Sequence, residues 1–284
     1  MPASLVQTLQ QPFVANAVVA GTAIAAIAGL VGFFLVTRGQ VFTGDALGHV
    51  AFAGAAGALA FGLDLRVGLF AATVGAGVLI GALGRRGRAD DVVIGNVLAW
   101  VLGLGVFFLA VYTTSGGAGN GTAGITVLFG SIFGLTTQQS TTVVVVAIVV
   151  AVLLLLIARP LLFSSLDPEV AGALGVPARW LGILFLALAG VTAGEATQAV
   201  GALLLLGLLS APAATAQRLT TRPFAALPLS AVIAVADTWA GLALSLAVPV
   251  LPPSFSIIAV ASGAFALAIA ASQVRQRVLG ARAA

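Results

Sequence analysis

Long apolar runs dominate this chain, and short polar or basic stretches separate them. About 20 apolar residues are needed for a helix to cross the hydrocarbon core of a bilayer. The recurrence of such runs predicts an all-α integral membrane protein, a polytopic bundle of eight or nine transmembrane helices. We place nine segments at Phe13–Val36, Asp45–Gly62, Arg66–Leu83, Val92–Tyr112, Thr141–Ile157, Arg179–Gly194, Ala196–Ala216, Ala226–Val248 and Phe255–Ser272.

Composition supports this class. Hydrophobic residues make up 61% of the chain and charged residues 7%, with a mean hydropathy of +1.19, whereas soluble domains carry roughly 25% charged residues. We therefore expect residues 1–284 to form a single multi-pass transmembrane domain. We expect no nucleic-acid partner, because the positive charge comes from arginines scattered between apolar runs.

The arginines also predict the topology, since basic loops face the cytoplasm. With nine spans, the N-terminus lies outside, the C-terminus lies inside, and the Gly-rich stretch Ser115–Gly121 forms an external loop. The apolar stretch Ile125–Leu135 is too short to span and is interpreted as a half-helix at the outer surface. The cytoplasmic basic residues are then Arg85, Arg86, Arg88, Arg159, Arg179, Arg218, Arg222, Arg275, Arg277 and Arg282.

Asp45 and the only histidine, His49, are the first candidate site residues. Residues four apart lie on one face of a helix, so this carboxylate and this imidazole could bind one divalent cation. Polar groups of this kind are costly in a bilayer, which favours a function. Two simpler interpretations remain: Asp45 could cap the second helix, and His49 could be a hydrogen-bonded packing residue.

Two more carboxylates fall inside apolar sequence and are candidates for lining the path. Glu195 is placed at the junction of the sixth and seventh segments, and Asp237 lies within the eighth. Both would be costly if they faced lipid, so we expect a cavity, a subunit contact or an external turn around them. Glu195 could instead be an interfacial turn residue, and Asp237 a polar packing contact.

The connection between the fifth and sixth segments has the pattern of a short capped helix. Asp167 can accept hydrogen bonds from the first free N–H groups, and Pro168 suits the first helical position. Glu169 complements the positive end of the helix dipole, and Gly175 can close the C-terminus. Such a helix between two spans indicates a docking element, although an ordinary ordered loop is also compatible with the pattern.

Several strings occur together in a recognisable order. The set resembles the membrane permease subunit of ABC-type uptake systems for zinc, manganese or ferrous iron, the ABC-3 type metal permease family. The resemblance runs from about Phe13 to Ala271. Its strings are Gly44-Asp45-Ala46 with His49, Leu128-Phe129-Gly130-Ser131, Asp167-Pro168-Glu169 with Ala171 and Leu174-Gly175-Val176-Pro177, Val200-Gly201-Ala202-Leu203-Leu204 with Ala211-Pro212-Ala213-Ala214-Thr215-Ala216, and Leu251-Pro252-Pro253.

The resemblance implies a type II ABC importer-like fold, a homodimer of this chain and a location in the inner (cytoplasmic) membrane of a bacterium. It also implies two cytoplasmic ATP-binding cassette subunits, an extracytoplasmic metal-binding protein, and a metal path lined by Asp45 and His49. The ATPase subunits would dock on the loop that contains Asp167, Pro168, Glu169, Ala171 and Gly175. The chain itself would be non-catalytic and hold no cofactor, with the metal as its substrate, and it has no Gly-x-x-x-x-Gly-Lys phosphate loop.

Three other functions remain open from the residues alone. A permease for chelated cargo, such as a siderophore or cobalamin, would need a wide path with few carboxylates. A secondary transporter driven by an ion gradient could use Asp45, Glu195 and Asp237 as a relay, but it would not need the capped segment from Asp167 to Pro177. The ordered set of motifs disfavours a structural or channel-type protein.

Overall fold

The computed structural model describes residues 11–84, 91–114, 130–202 and 205–283, with residues 275–283 described for their backbone alone. Within these ranges the regular structure is entirely helical, which confirms the predicted fold class. The helices are α1 (Pro12–Thr37), α2 (Val41–Ala60), α3 (Leu65–Leu83), α4 (Asp91–Thr114), a 3₁₀ turn (Ile132–Gly134), α5 (Thr137–Leu166), α6 (Pro168–Ala173), α7 (Ala178–Val200), α8 (Leu205–Leu219), α9 (Pro223–Ala247) and α10 (Pro253–Ala283).

Seven of the described helices are long and apolar enough to cross a membrane: α1, α3, α4, α5, α7, α9 and α10. Helix α2 has 20 residues but carries Asp45 and His49, and α8 has only 15 residues. These two helices complete the set that corresponds to the nine predicted segments. The chain is therefore a multi-pass membrane protein.

Two predicted boundaries were wrong near the middle of the chain. Helix α7 continues through Glu195 to Val200, so the predicted junction at Gly194–Ala196 does not exist. The break comes at Gly201, whose φ of +91° lies in the region that glycine adopts most readily. The segment Ala196–Ala216 is consequently not one span: its first part ends α7, and α8 begins at Leu205.

Two other helices are longer than predicted. Helix α2 begins at Val41 rather than at Asp45. Helix α5 extends to Leu166 and contains both Arg159 and Pro160, which we had assigned to the following loop. An arginine or a proline near the end of a membrane helix does not show where the last turn lies, because the helix can continue into the headgroup region.

Some predicted features lie outside the described residues. These include the external loop Ser115–Gly121, the cytoplasmic arginines at 85, 86 and 88, and the first part of the predicted half-helix, residues 125–129. The end of that segment is a 3₁₀ turn, anchored by a hydrogen bond of 3.1 Å from the Ser131 N–H to the Gln198 carbonyl. The side chains of Arg275, Arg277 and Arg282 also lie outside the description.

Helix α1 is the centre of the bundle. It packs against α5, α7, α8 and α9, and 67% of its most apolar window is buried within the chain. Helix α2 packs against α3 and α4 on one side and touches α7 and α8 on the other. Helix α4 is peripheral, with 17% of its window buried. The bundle thus covers part of α2 and leaves the rest of its surface available.

Candidate functional site

The candidate metal ligands lie on a partly exposed stripe of α2. The stripe consists of Phe42, Asp45, His49 and Phe52, which share one helix face because they are spaced by three, four and three residues. Phe42 is 66% exposed, and 31% of the Asp45 and 26% of the His49 side-chain surfaces are exposed. The four-residue spacing predicted this placement correctly.

The side chains of Asp45 and His49 point to the same side of the helix. His49 Nε2 lies 4.0 Å from Asp45 Oδ2, beyond hydrogen-bonding distance. Ligand bonds of about 2.0–2.2 Å place two ligand atoms of one cation roughly 3–3.6 Å apart, so a small side-chain rotation would bring both onto one ion. Asp45 is not the helix cap, because α2 begins four residues earlier with Gln40 in the N-cap position.

Asp45 and His49 are joined by no third ligand of the same kind in the described part of the chain. Among the described residues, no group of three or more His, Cys, Asp and Glu side chains could hold a metal ion. A divalent cation generally takes four to eight ligands. Asp45 and His49 therefore need further ligands from outside this group.

An adjoining side of α2 is closely packed at the same two turns. A Cβ added at Gly48 would lie 2.9 Å from the Ala202 carbonyl oxygen, and one added at Gly44 would lie 2.9 Å from Leu209 Cδ1. Helix α8 and the break before it thus support the turns that carry Asp45 and His49. This contact was not predicted, although the spacing Gly44-x-x-x-Gly48 is a signal of close packing between membrane helices.

Glu195 is buried inside α7, where we had expected a turn. It is 2% exposed, and its Oε2 has no hydrogen-bond partner among the described residues. Arg66, in the first turn of α3, is close enough to act on it electrostatically. Arg66 Nη2 is likewise buried and without a described partner. Arg66 thus places a positive charge near the buried Glu195 carboxyl at the α3–α7 interface.

A cavity of about 390 Å³ adjoins Arg66. It is lined by Arg66 and by residues from the start of α5 and the end of α7, including Gln139, Thr197 and Gln198. The predicted topology places these helix ends on the outer side of the membrane.

Asp237 lies on a different part of the bundle. It is 5% exposed on α9, and its Oδ2 has no described partner. Helix α9 packs against α1, α8 and α10 rather than against α2. Within one chain the structure therefore brings neither Asp237 nor Glu195 into a common ligand group with Asp45 and His49.

The predicted capped helix is present as α6. The Asp167 carboxylate accepts a hydrogen bond of 3.0 Å from the Val170 N–H, and Pro168 occupies the first helical turn. At the other end, the Val176 N–H donates to the Ala171 carbonyl, and Gly175 has a φ of +75°. This pattern is a Schellman closure, which requires a residue that tolerates positive φ.

The surface of α6 is suited to contact with another protein. Ala171 is fully buried and anchors the helix, whereas Val170 and Leu174 are 45% and 70% exposed. Glu169 and Arg179 line an adjoining cavity of about 630 Å³ together with Gly84 and Gly172. A capped helix of this kind presents apolar and charged side chains in a fixed arrangement.

A bundle of membrane helices, a polar pair on one partly open helix and a capped connecting helix together define a membrane permease. Residues 10–272 match the ABC 3 transport family. The chain belongs to this family, which confirms the resemblance seen in the sequence.

Two similar proteins are named as components of manganese transport systems. The manganese transport system membrane protein MntC of Halalkalibacterium halodurans is 30% identical over 263 residues, covering 92% of this chain and 88% of that protein. The manganese import system permease protein ScaB of Streptococcus parasanguinis is 30% identical over 218 residues, covering 76% of each chain.

Solved structures share the fold. The PsaBC complex from Streptococcus pneumoniae, solved with a Fab, contains a chain that matches with a TM-score of 0.79 and 25% identity, over 94% of this chain and 95% of that one. An inward-facing putative metal-chelate type ABC transporter matches with a TM-score of 0.70 and 16% identity, over 94% and 90% of the two chains. The second likeness supports the fold alone.

Proposed function

We propose that this chain forms the translocation path of an ABC importer for divalent metal ions, with manganese as the principal cargo. The observation that carries the proposal is the partly exposed pair Asp45 and His49 on one face of α2. Carboxylate oxygen and imidazole nitrogen bind first-row divalent ions. The manganese-related names of its relatives favour manganese over zinc and ferrous iron.

The functional unit in this proposal is a homodimer. A two-fold axis beside the α2 stripe would place a second Asp45 and a second His49 opposite the first pair. Two carboxylates and two imidazoles then supply at least four ligands, whereas the pair on one chain supplies two side chains. Four is the smallest number that a divalent cation generally takes. The exposed Phe42 at the end of the stripe would be covered by the same contact.

Energy for transport would come from two separate ATP-binding cassette subunits that dock on α6. The exposed Val170 and Leu174 and the charged Glu169 form the surface for that contact. An extracytoplasmic metal-binding protein would deliver the ion on the other side of the membrane. In this arrangement the chain binds and guides the ion, and hydrolysis takes place in its partners.

Uptake of manganese into proteoliposomes tests the proposal. The vesicles contain the chain, its ATPase subunits, ATP on the ATPase side and the loaded metal-binding protein on the other. We expect Asp45→Ala and His49→Ala each to reduce uptake at least tenfold, because each change removes a ligand type from the site. Asp91→Asn, which neutralises an exposed carboxylate at the start of α4, is the control and should transport normally.

The outcomes separate the alternatives. Normal uptake by assembled Asp45→Ala and His49→Ala complexes would exclude the pair from the path. If the vesicles transport zinc or ferrous iron in preference to manganese, the proposed cargo is wrong but the proposed metal site stands. In the same assay, Glu195→Gln and Asp237→Asn test the predicted pathway roles of these residues, since normal uptake would remove the residue concerned from the path.

A further inference from the structure

Arg38 connects two segments that the proposed function uses separately. It follows the last residue of α1 and is 5% exposed. Its Nε donates a hydrogen bond of 2.8 Å to Gln40 Oε1, and its Nη1 donates one of 3.1 Å to Ser165 Oγ. The guanidinium carbon also lies 5.6 Å from the centre of the Phe185 ring on α7, within the range of cation–π attraction.

The acceptors of these two hydrogen bonds lie in segments with different proposed roles. Gln40 is the N-cap residue of α2, the helix that carries Asp45 and His49. Ser165 is in the last turn of α5, and Asp167, the N-cap residue of α6, follows two residues later. One rigid guanidinium group thus joins the N-cap of the proposed metal-binding helix to the last turn of α5, directly before the proposed ATPase-docking helix.

We infer that Arg38 is a positioning residue that transmits movement of α6 to α2. The inference rests on the proposed function. A buried guanidinium is costly to separate from its acceptors, because each lost bond leaves a charged donor without water. Its planar fork also fixes the direction of both bonds, which an ammonium group does not. A displacement of the α5–α6 junction by the ATPase would therefore carry Gln40 and the first turn of α2 with it.

The start of α2 has a second feature consistent with movement. Gln40 Nε2 and Thr43 Oγ1 are buried and have no hydrogen-bond partner among the described residues. Buried polar groups are normally paired, and an unpaired one calls for an explanation. A shift of the first turn of α2 would therefore break no described hydrogen bond at these two atoms.

Two adjacent serines provide a matched test. Ser164 and Ser165 are both buried, and both donate a hydrogen bond to the Leu161 carbonyl. Of these two hydroxyls, the Ser165 hydroxyl is the one that accepts the bond from Arg38. The measured quantity is the number of manganese ions transported per ATP hydrolysed in the reconstituted complex with the loaded binding protein. We expect Ser165→Ala to lower this ratio about tenfold, consistent with the loss of one hydrogen bond to a charged group.

Ser164→Ala should keep the wild-type ratio, and both variants should assemble with the ATPase and bind manganese with unchanged affinity. A purely structural role for Ser165 would change assembly or binding together with transport, which would overturn the inference. Equal ratios for Ser165→Ala and Ser164→Ala would overturn it as well. If Ser165→Ala does not assemble, the same ratio is compared between two variants of Gln40. We expect Gln40→Glu, which keeps an acceptor for Arg38, to keep the ratio, and Gln40→Met, which removes the acceptor, to lower it. Equal ratios for the two variants would overturn the inference.

Arg38→Lys provides an independent arm. Lysine keeps the charge but not the fork, so we expect a reduced ratio, and combining it with Ser165→Ala should cause little further loss because both changes break one connection. Additive losses in the double variant would contradict the inference. Normal uptake by Asp45→Ala would instead refute the proposed function, whereas loss of uptake there with an unchanged ratio in Ser165→Ala would refute the Arg38 connection alone.

Discussion

Two glycines in α3 should respond in opposite ways to the same substitution. A Cβ added at Gly77 would lie 2.3 Å from the Leu186 carbonyl oxygen of α7, whereas a Cβ added at Gly75 has no atom within 4 Å. Membrane helices approach closely where small residues meet. We therefore expect Gly77→Ala to force α3 and α7 apart and Gly75→Ala to be accommodated without any shift.

The magnitude follows from the geometry. Carbon and oxygen atoms in close contact lie about 3.3 Å apart, so the backbones must separate by roughly 1 Å in Gly77→Ala. Overpacking of this kind costs about 1–3 kcal/mol. Both variants gain about 0.5–1 kcal/mol from replacing a helical glycine by alanine, and this gain cancels in the comparison. The free energy of unfolding should thus be about 1–3 kcal/mol lower for Gly77→Ala than for Gly75→Ala.

The assay is the SDS concentration at which purified protein in mixed micelles loses half of its helical circular dichroism. Gly75→Ala should have a midpoint equal to or above that of the wild type, and Gly77→Ala a lower one. Gly190→Ala tests the same interface from α7, since its Cβ would lie 2.4 Å from the Thr73 carbonyl oxygen. Equal midpoints for the Gly75 and Gly77 variants would refute the close packing of α3 and α7.

Three further results are expected. Arg66→Gln should lower the SDS midpoint because it removes the positive charge that acts on the buried Glu195; adding Glu195→Gln should recover much of that loss in the same SDS assay, and no recovery would mean that the two groups do not interact. Glu169→Arg should weaken co-purification of the ATPase subunits or abolish stimulation of ATP hydrolysis by the loaded binding protein, while retaining manganese binding; unchanged coupling would remove α6 from the docking surface. Phe42→Cys in this cysteine-free chain should cross-link two copies, whereas Leu156→Cys, which is 72% exposed on α5, should not; cross-linking at Leu156 alone would contradict the proposed dimer axis.

Local chemistry explains which features could be predicted from sequence. The ends of α6 are set by Asp167, Pro168 and Gly175, residues whose capping roles depend on their immediate neighbours. The shared face of Asp45 and His49 follows from helix periodicity alone. Both predictions held because neither depends on a distant part of the chain.

The features that were missed depend on tertiary contacts. The carboxylate of Glu195 favoured a break between spans, since charge is unusual inside a membrane helix. In the structure, Gly194 allows Phe70 to approach, with a Cβ there only 2.8 Å from its ring, and Arg66 lies near Glu195. The link through Arg38 was also missed, because its acceptors, Gln40 and Ser165, are distant from each other in sequence.

The incomplete ligand set of one chain has a consequence for transport in the proposed dimer. An ion bound entirely within one rigid chain would be released only if that chain deformed. An ion shared by Asp45 and His49 of two copies depends instead on the separation of the two α2 helices. Ligand bonds have well-defined lengths near 2.0–2.2 Å, so a relative shift of about 1 Å is enough to break some of them. Because α8 supports the back of α2 at Gly44 and Gly48, such a shift would move both ligands together, and a small displacement arriving through Arg38 could change the affinity for the ion in one step.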